Sequence, residues 1–264
     1  VTELVPTRTT NQTILQIGRH IYELFRFVSG VRYDGSAEAT IDAGRQLANF
    51  HRHLADFSFE PLPIRGSFHD SASVRNHIKA VGQAPAEAGD GRWREVSEAL
   101  MVIYNNASVQ VNQLGFDSWP QQVVHGDWHP GNMLYSHRRI KAVLDFDSVK
   151  VAPPITDLAN GMLQFSIVGD RPNPSDWPPY LDQAKLVQFL DGYRQITDPT
   201  DNQVDSLLDL MIETMIAEAV LPVATTGFFG HASGCDFLMM IRRKADWIYQ
   251  NRHRLTEAML KTAR

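Results

Sequence analysis

Apolar residues recur at three- and four-residue intervals over much of the chain, which is the spacing of one helix face. Behind Ser36, a residue type that often caps helices, the apolar positions from Ile41 to Leu54 predict the first helix. The same spacing predicts further helices over residues 93–111, 157–165, 186–193, 204–216 and 237–249. The helix that contains residues 204–216 is expected to end at Pro222, because proline has no N–H for the helical hydrogen-bond ladder.

Short apolar runs with β-branched members, bounded by turn residues, predict strands. Such runs lie at residues 13–17, 20–27, 123–124, 133–135 and 140–144. The last two flank a polar turn at residues 136–139 and therefore predict a hairpin. The segment 57–91 contains several prolines and glycines and is expected to be irregular.

The candidate chemistry lies in the polar segment after Val124. It runs from His125 to Asn132 with the sequence HGDWHPGN, and its Pro-Gly pair opposes a helix. Asp127 and Asn132 match the catalytic-loop pattern His-x-Asp-x-x-x-x-Asn, and Asp145 matches the aspartate of the metal-binding motif that follows it. An acid, an amide oxygen and a second acid at this spacing are typical of protein-kinase-like phosphotransferases.

Phosphoryl transfer explains why these residue types are needed. A carboxylate must accept the proton of the attacking hydroxyl group, and Asp127 suits that role. Magnesium prefers oxygen ligands and usually takes only one or two from side chains, with phosphates and water completing the set. Asn132 and Asp145 can supply those oxygens if the predicted hairpin brings them together.

The chain resembles the aminoglycoside phosphotransferase and choline kinase superfamily, which shares the protein kinase fold. Residues 44–51 resemble its Gly-x-x-Leu-Ala-x-x-His helix, and residues 154–159 resemble its segment ending in Asp-Leu-Ala. The resemblance implies an α+β, protein-kinase-like fold with a mainly helical large lobe, a catalytic hairpin and a remnant of a β-rich small lobe. Residues 1–30 would be the remnant of the small lobe and the hinge, and residues 31–264 the helical lobe with the catalytic loop.

The resemblance also implies a function, namely ATP-dependent phosphorylation of a small-molecule hydroxyl group, as in aminoglycoside, choline or homoserine kinases. Asp127 would be the catalytic base, and Asn132 and Asp145 would hold Mg²⁺. His125 and Asp157 would support the loop. The expected nucleotide contacts are Glu23, Phe25, Leu134 and Leu144.

The acceptor is encoded less directly. If it is cationic, acidic side chains should face it, and Glu213, Glu218 and Asp236 are candidates by their location in the chain. The favoured alternative is that each of the three lies on a solvated helix face, which is the usual place for such residues. Asp147 is a further candidate for a metal or substrate contact.

Two features of the sequence leave an alternative open. The first lysine in the chain is Lys79, and no glycine-rich phosphate loop precedes Tyr22. Kinases of this kind use such a lysine and loop to hold the phosphates. The alternative is therefore a non-catalytic or incomplete relative that binds nucleotide or a partner.

Other classes of function fit the sequence less well. A protein kinase would need an Ala-Pro-Glu segment after Asp145, which is absent. His125 and His129 have the spacing of a helical zinc pair, but the Pro-Gly pair that follows disfavours the helix. A net charge of −5 and a pI near 6.1 lack the excess of positive charge that is typical of nucleic-acid-binding proteins.

The remaining composition predicts a cytoplasmic protein. Cys235 is the only cysteine, so no internal disulfide can form, which suits a reducing compartment. No apolar run approaches the roughly 20 residues that a membrane span needs. The expected partners are a nucleotide and a small-molecule acceptor, and the composition leaves the oligomeric state open.

Overall fold

The computed structural model describes residues 2–57, 66–83, 91–169 and 171–261. Its helices are α1 (Ala37–Leu54), α2 (Ala72–Gly82), α3 (Arg92–Gln113), α4 (Ile155–Ser166), α5 (Gln183–Arg194), α6 (Asp201–Thr226), α7 (Gly234–Gln250) and α8 (Arg252–Lys261). Its strands are β1 (Ile14–Ile17), β2 (His20–Glu23), β3 (Gln122–Val124), β4 (Met133–Ser136), β5 (Arg139–Val143), β6 (Lys150–Ala152), β7 (Phe228–Phe229) and β8 (Ala232–Ser233). The predicted α+β architecture is confirmed, with helices forming most of the structure.

Helix α1 forms as the sequence predicts and packs against α5 at two glycines. The Ser36 side chain caps α1 by accepting the Ala39 N–H. A Cβ atom on Gly44 would lie 1.9 Å from the Phe189 carbonyl oxygen, and one on Gly192 would lie 1.9 Å from that of Ile41. Only glycine therefore allows the two backbones to approach this closely.

Helix α6 is the central helix of the core, and it does not end where the sequence predicts. It continues past Pro222 to Thr226, so the expectation of a stop at this proline is wrong. The proline removes one hydrogen bond, the one that its N–H would have donated to the Glu218 carbonyl. Burial of apolar residues around most of the helix outweighs that loss, and Gly227 ends the helix in the left-handed conformation.

The expectation of an irregular segment over residues 57–91 is also corrected. Residues 72–82 form α2, which begins at a Ser71 cap and packs against α3 and α6. Val74, Ile78 and Val81 point into the core with helical spacing, and this pattern was the signal in the sequence. Residues 58–65 and 84–90 of the segment lie outside the described residues.

Two small antiparallel pairs frame the predicted catalytic loop. β3 pairs with β6, and β4 pairs with β5 as the expected hairpin. Val31 pairs with Tyr135, which joins the segment after the N-terminal strands to the hairpin. Strands β1 and β2 form a separate hairpin whose residues are all exposed.

None of the described helices combines the length and the apolar character that crossing a membrane requires.

Candidate active site

The loop that joins β3 to β4 depends on a glycine at its first turn. Gly126 has φ of +80°, and a Cβ atom there would lie 2.2 Å from the Ser148 carbonyl oxygen. The chain then passes through one short 3-10 turn over Pro130–Asn132 and enters β4. The His129 ring fixes that turn, because its Nδ1 accepts the Gly131 N–H at 3.0 Å.

Asp157, in the first turn of α4, holds the start of the loop. Its Oδ2 accepts the His125 N–H at 2.7 Å and its Oδ1 accepts the Gly126 N–H at 2.8 Å. His51 Nε2 lies 3.2 Å from the same Oδ2. Burial alone would raise the pKa of Asp157, but these hydrogen bonds, with His51 foremost, hold that pKa below its usual range.

His51 also supports the loop, and the sequence did not predict its contacts. It is buried on α1, and its second ring nitrogen lies 2.9 Å from the Tyr193 hydroxyl on α5. One imidazole thus connects α1, α4 and α5 beneath the loop. The available signal was its position as the last residue of the Gly-x-x-Leu-Ala-x-x-His helix.

Asp127 is held by two side chains of its own loop. Asn132 Nδ2 donates to Asp127 Oδ2 at 2.9 Å and to its backbone oxygen at 3.1 Å. His129 Nε2 lies 3.5 Å from the same Oδ2. Although burial opposes it, the interaction with His129 lowers the pKa of Asp127, so the carboxylate is ionised at neutral pH. Its side chain is about one third exposed, at 34%.

His125 and Trp128 lie in the interior beneath the loop, where both side chains are fully buried. His125 Nδ1 accepts the Asp127 N–H at 3.3 Å, which places the ring proton of the neutral form on Nε2. Burial lowers the pKa of His125 and keeps it uncharged. This contact is a backbone hydrogen bond through which His125 would fix the loop, and that role stays a prediction.

Asn132 and Asp145 lie at adjacent points of the hairpin. The Leu144 N–H donates to the Asn132 carbonyl at 2.8 Å, and Asp145 follows directly, exposed and with φ of +60°. Because Asn132 turns its amide nitrogen toward Asp127, its amide oxygen remains free to act as a ligand of a cation. Mg²⁺ prefers oxygen ligands such as an amide oxygen and a carboxylate, so these two residues fit that ion. Within the described ranges, no three His, Cys, Asp or Glu side chains form a metal cluster by themselves.

The residues expected to contact the nucleotide lie in two places. Leu134 on β4 and Leu144 after β5 belong to the same hairpin and are half-buried. Gly30 packs against this hairpin, since a Cβ atom there would lie 2.8 Å from the Leu134 Cβ. Glu23 ends β2, and Phe25, just after that strand, pairs with Leu4. Both side chains are exposed.

Glu213 does not fit the expectation of an acid that faces an acceptor or solvent. It is fully buried on α6, and its Oε2 lies 2.7 Å from His69 Nδ1. Its other oxygen accepts hydrogen bonds from Ser108 and from the Asp70 N–H. The carboxylate is thus fully engaged within the protein.

Asp236 is also engaged elsewhere. It lies in the first turn of α7, where its Oδ1 is 3.2 Å from Arg92 Nη1. The Ser233 hydroxyl, in turn, accepts the Asp236 N–H as the cap of that helix. An ion pair therefore occupies the carboxylate that was expected to face a cationic acceptor.

Asp147 and Glu218, by contrast, line one open cleft beside the loop. The cleft has a volume of about 670 Å³, and Gly126, Ser148 and Lys150 also line it. The Glu218 side chain is exposed to the cleft, yet the protein atoms that surround it raise its pKa to about 7, and the negative charge of Asp127 adds to this effect. The pKa of His129 is raised first by Asp127 and also by Glu218 and Asp145, so these three acids surround one imidazole.

From the sequence alone, Glu218 was only one of three acids expected to face a cationic acceptor. Its separation from Glu213 was the available signal, because five residues along a helix correspond to a rotation of about 140°. If one of the two faces the core, the other faces away from it. The contact with Gln164, whose Nε2 donates to Glu218 Oε2 at 2.6 Å, had no signal in the sequence.

Three solved structures that share the predicted kinase-like fold are distant from this chain in sequence. An amicoumacin kinase in complex with AMP-PNP and Ca²⁺ aligns with a TM-score of 0.65 at 15% identity, covering 93% of this chain and 72% of that chain. A microcompartment-associated aminopropanol kinase aligns with a TM-score of 0.67 at 14% identity, covering 97% and 77%. A choline kinase from Cryptosporidium parvum aligns with a TM-score of 0.58 at 12% identity, covering 92% and 74%.

The sequence comparisons identify the family. A search among curated proteins found no match. The model of the phosphotransferase enzyme family matches residues 4–199, which include the loop, the hairpin and Asp157. Since this match covers well over half of the chain, the protein belongs to the phosphotransferase enzyme family.

Proposed function

We propose that the chain transfers the γ-phosphoryl group of ATP to a hydroxyl group of a small-molecule acceptor, with Mg²⁺ as cofactor. The state of Asp127 carries this proposal. Its carboxylate is ionised, held in one orientation by Asn132 and partly open to solvent, and the preceding residue, Gly126, lines the cleft. A fixed, ionised carboxylate beside a cleft is what a base for an alcohol requires.

The contacts of Asp127 also indicate which of its oxygens acts. Oδ2 accepts from Asn132 and faces His129, so Oδ1 is the oxygen that would receive the acceptor hydroxyl. In the proposed reaction the acceptor oxygen forms a bond to the γ-phosphorus and the bond to the β-phosphate oxygen breaks. The hydroxyl proton passes to Asp127, and ADP leaves.

Asn132 and Asp145 would hold the metal through the amide oxygen and the carboxylate. Mg²⁺ supplies charge neutralisation on the phosphates when it is bound. Residues 1–30 would contribute the nucleotide side of the site, with Glu23 and Phe25 at the adenine and Leu134 and Leu144 below the ring. The resemblance to the kinase fold supports these roles, as does the packing of Gly30 on the hairpin.

The cleft supports an acceptor that carries a positive charge. Asp147 and Glu218 both line it, whereas Glu213 and Asp236 are engaged elsewhere. Two of the structural neighbours are described as kinases of aminopropanol and of choline, both of which are cationic alcohols. An amino alcohol would place its hydroxyl group at Asp127 and its cation at Glu218.

The second candidate is a relative that binds nucleotide without catalysis. One observation favours it, because the first lysine of the sequence is Lys79, and that side chain is exposed on α2. A phosphate-holding lysine from the small lobe is therefore absent from residues 1–78. Such a protein would retain the metal-binding pair but not the clamp on the phosphates.

A thermal-shift titration with ATP and Mg²⁺ tests nucleotide binding first. We expect a metal-dependent rise in melting temperature for the parent chain and its loss in Asp145→Ala. A phosphoryl-transfer assay with ethanolamine, choline and 1-amino-2-propanol then separates the two candidates. Transfer that disappears in Asp127→Asn supports the kinase. A metal-dependent shift without transfer supports the non-catalytic binder, and the absence of any shift contradicts both.

A further inference from the structure

A partly open apolar cavity lies next to the acceptor cleft, between α4, α6, α7 and the β7–β8 hairpin. Its volume is about 170 Å³. Apart from two polar residues at one edge, all of its walls are apolar. The apolar lining comprises Leu163, Ile167, Trp177, Met215, Ala219, Phe229, Phe237 and Ile241, and the polar residues are Gln164 and Glu218.

Aromatic rings form one wall of this cavity and hold each other in place. Phe229 stacks on Phe237 with ring centroids 3.7 Å apart and planes within 6° of parallel. Trp177 meets Phe237 edge-on at 6.3 Å. Gly169 lies against the indole, because a Cβ atom there would come within 2.6 Å of the ring. The wall is therefore formed before any ligand binds.

Glu218 connects the cavity to the cleft, because it lines both. Gln164 donates to its Oε2, which leaves Oε1 for another donor. Pro222 has no N–H, so the Glu218 carbonyl also lacks its usual helical donor.

Glu218 has no ion-pair partner at contact distance among the described residues, although two cationic groups influence it. Asp127, His129 and Lys150 are the charged or titratable groups that influence it. Among the residues that the structure describes, no basic nitrogen lies within 4.0 Å of its carboxylate. A carboxylate without an ion-pair partner beside an apolar cavity matches a ligand with an ammonium group next to an apolar group.

We infer that the acceptor carries an apolar group of about phenyl size next to its amine, and that this group occupies the cavity bounded by Trp177, Phe229 and Phe237. This inference rests on the proposed function, which places the amine at Glu218 and the hydroxyl group at Asp127. The size follows from the volume, since an apolar cavity of ~150 Å³ takes up benzene. A fully polar acceptor would leave the cavity unfilled.

Binding of 2-phenylethylamine to the full chain without nucleotide tests the inference, measured by calorimetry against ethylamine. This amine has no hydroxyl group, so the measurement does not depend on catalysis. We expect at least tenfold tighter binding of 2-phenylethylamine than of ethylamine. We also expect at least a tenfold loss of that binding in Glu218→Gln. Equal affinities for the two amines in the parent chain would overturn the inference.

A matched pair of substitutions locates the apolar group. Ile167→Trp fills the cavity, whereas Ile196→Trp makes the same change at a half-buried position that lines neither the cavity nor the cleft. We expect only the first to abolish the preference for the aromatic amine. If Ile167→Trp fails to fold, as judged by its melting curve, Phe229→Ala removes one wall and should lower the preference instead. A preference that survives loss of the wall contradicts the site.

The same variants separate this inference from the proposed function. If 2-phenylethylamine binds as expected but no alcohol is phosphorylated with ATP and Mg²⁺, the pocket stands and the kinase proposal fails. If ethanolamine is phosphorylated while both amines bind equally, the kinase proposal stands and the apolar pocket fails.

Discussion

The carboxylate of Asp157 accepts the Gly126 N–H at 2.8 Å, across a separation of 31 residues. With the neighbouring bond to the His125 N–H, this contact fixes the backbone immediately before Asp127. The position of the proposed base is therefore set from beneath, by a carboxylate on α4 that solvent does not reach.

Removal of this carboxylate should destabilise the whole helical lobe. Asp157→Ala leaves two buried N–H groups and His51 without their acceptor. Because each unsatisfied buried donor costs about 1–3 kcal/mol, we expect a loss of about 3 kcal/mol or more in the free energy of unfolding. Urea denaturation measures it, with the exposed Asp56→Asn as the control that should change little.

Asp157 also predicts how the stability of the protein decreases at acidic pH. The folded-state pKa of Asp157 lies below the usual value of 3.8. Its contribution is thus complete above about pH 4 and is lost as the pH falls through the folded pKa. Asp157→Asn should flatten the dependence of melting temperature on pH below 4. An unchanged acid limb in that variant would contradict this role.

Gly126 offers a test of the loop geometry with a matched control. Gly126→Ala places an alanine in the left-handed conformation and also creates a clash with the Ser148 carbonyl. Gly230→Ala places an alanine in the same conformation without a clash, because the space around Gly230 is open. The left-handed conformation costs about 1–2 kcal/mol. We expect the loss of unfolding free energy to be clearly larger for Gly126→Ala, together with lost phosphoryl transfer. Equal losses for the two variants would show that the loop tolerates the clash.

Substitution of the proposed base should affect catalysis far more than folding. Asp127→Asn retains the shape of the side chain but cannot accept the proton. Since general bases contribute about 10²–10⁴-fold, kcat should fall by at least about a hundredfold. The melting temperature should change little, and Asp117→Asn serves as the exposed control. Substantial residual turnover in Asp127→Asn would mean that another group takes the proton.

Glu218 predicts how amine binding depends on pH. With a pKa of about 7, its ionised fraction rises from about one tenth at pH 6 to about nine tenths at pH 8, so affinity for an ammonium ligand should rise about tenfold. Asp127, His129 and Lys150 also face this site and would remain in a variant. Glu218→Gln should therefore remove most of the rise. Calorimetry at the two pH values decides, and a parallel rise in the variant would assign it to another group.

The buried His69–Glu213 pair predicts that the stability of the protein falls as the pH rises. Burial alone would lower the pKa of His69, but hydrogen bonds to Glu213 and Asn112 raise it above 6.5. A raised histidine pKa adds stability that is complete below pH 6.5 and lost as the pH rises through the folded pKa. Glu213→Gln leaves the histidine without its charge partner and should cost about 3 kcal/mol at pH 6. Denaturation at pH 6 and pH 9 measures it, and an equal cost at both values would contradict a charged pair.

Much of the site could be predicted from the sequence because it is local. Asp127, Asn132 and Asp145 lie within nineteen positions, joined by a loop and a tight hairpin. The turn residues that fix this geometry are part of the motif itself. The contact of Asn132 with Asp127 and the adjacency of Leu144 to Asn132 are short-range consequences of that pattern.

Helix ends and helix surroundings were harder to predict. The rule that proline ends a helix fails at Pro222, because tertiary burial of α6 outweighs one missing hydrogen bond. The rule that prolines and glycines mark irregular chain overlooked α2, whose apolar spacing is short but regular. In both cases the local preference was real, and packing against other helices decided the outcome.

The sequence by itself determined most of the helices, the catalytic hairpin, the kinase-like fold class and the acid–amide–acid set of the candidate site. Only the tertiary structure decided that Glu213 pairs with His69 inside the protein, while Glu218 lies between the cleft and an apolar cavity. The physical reason is that local pattern sets the helix, but the rotation of α6 about its axis depends on how distant helices pack around it. That rotation decides which of its carboxylates meets a histidine and which meets the cleft.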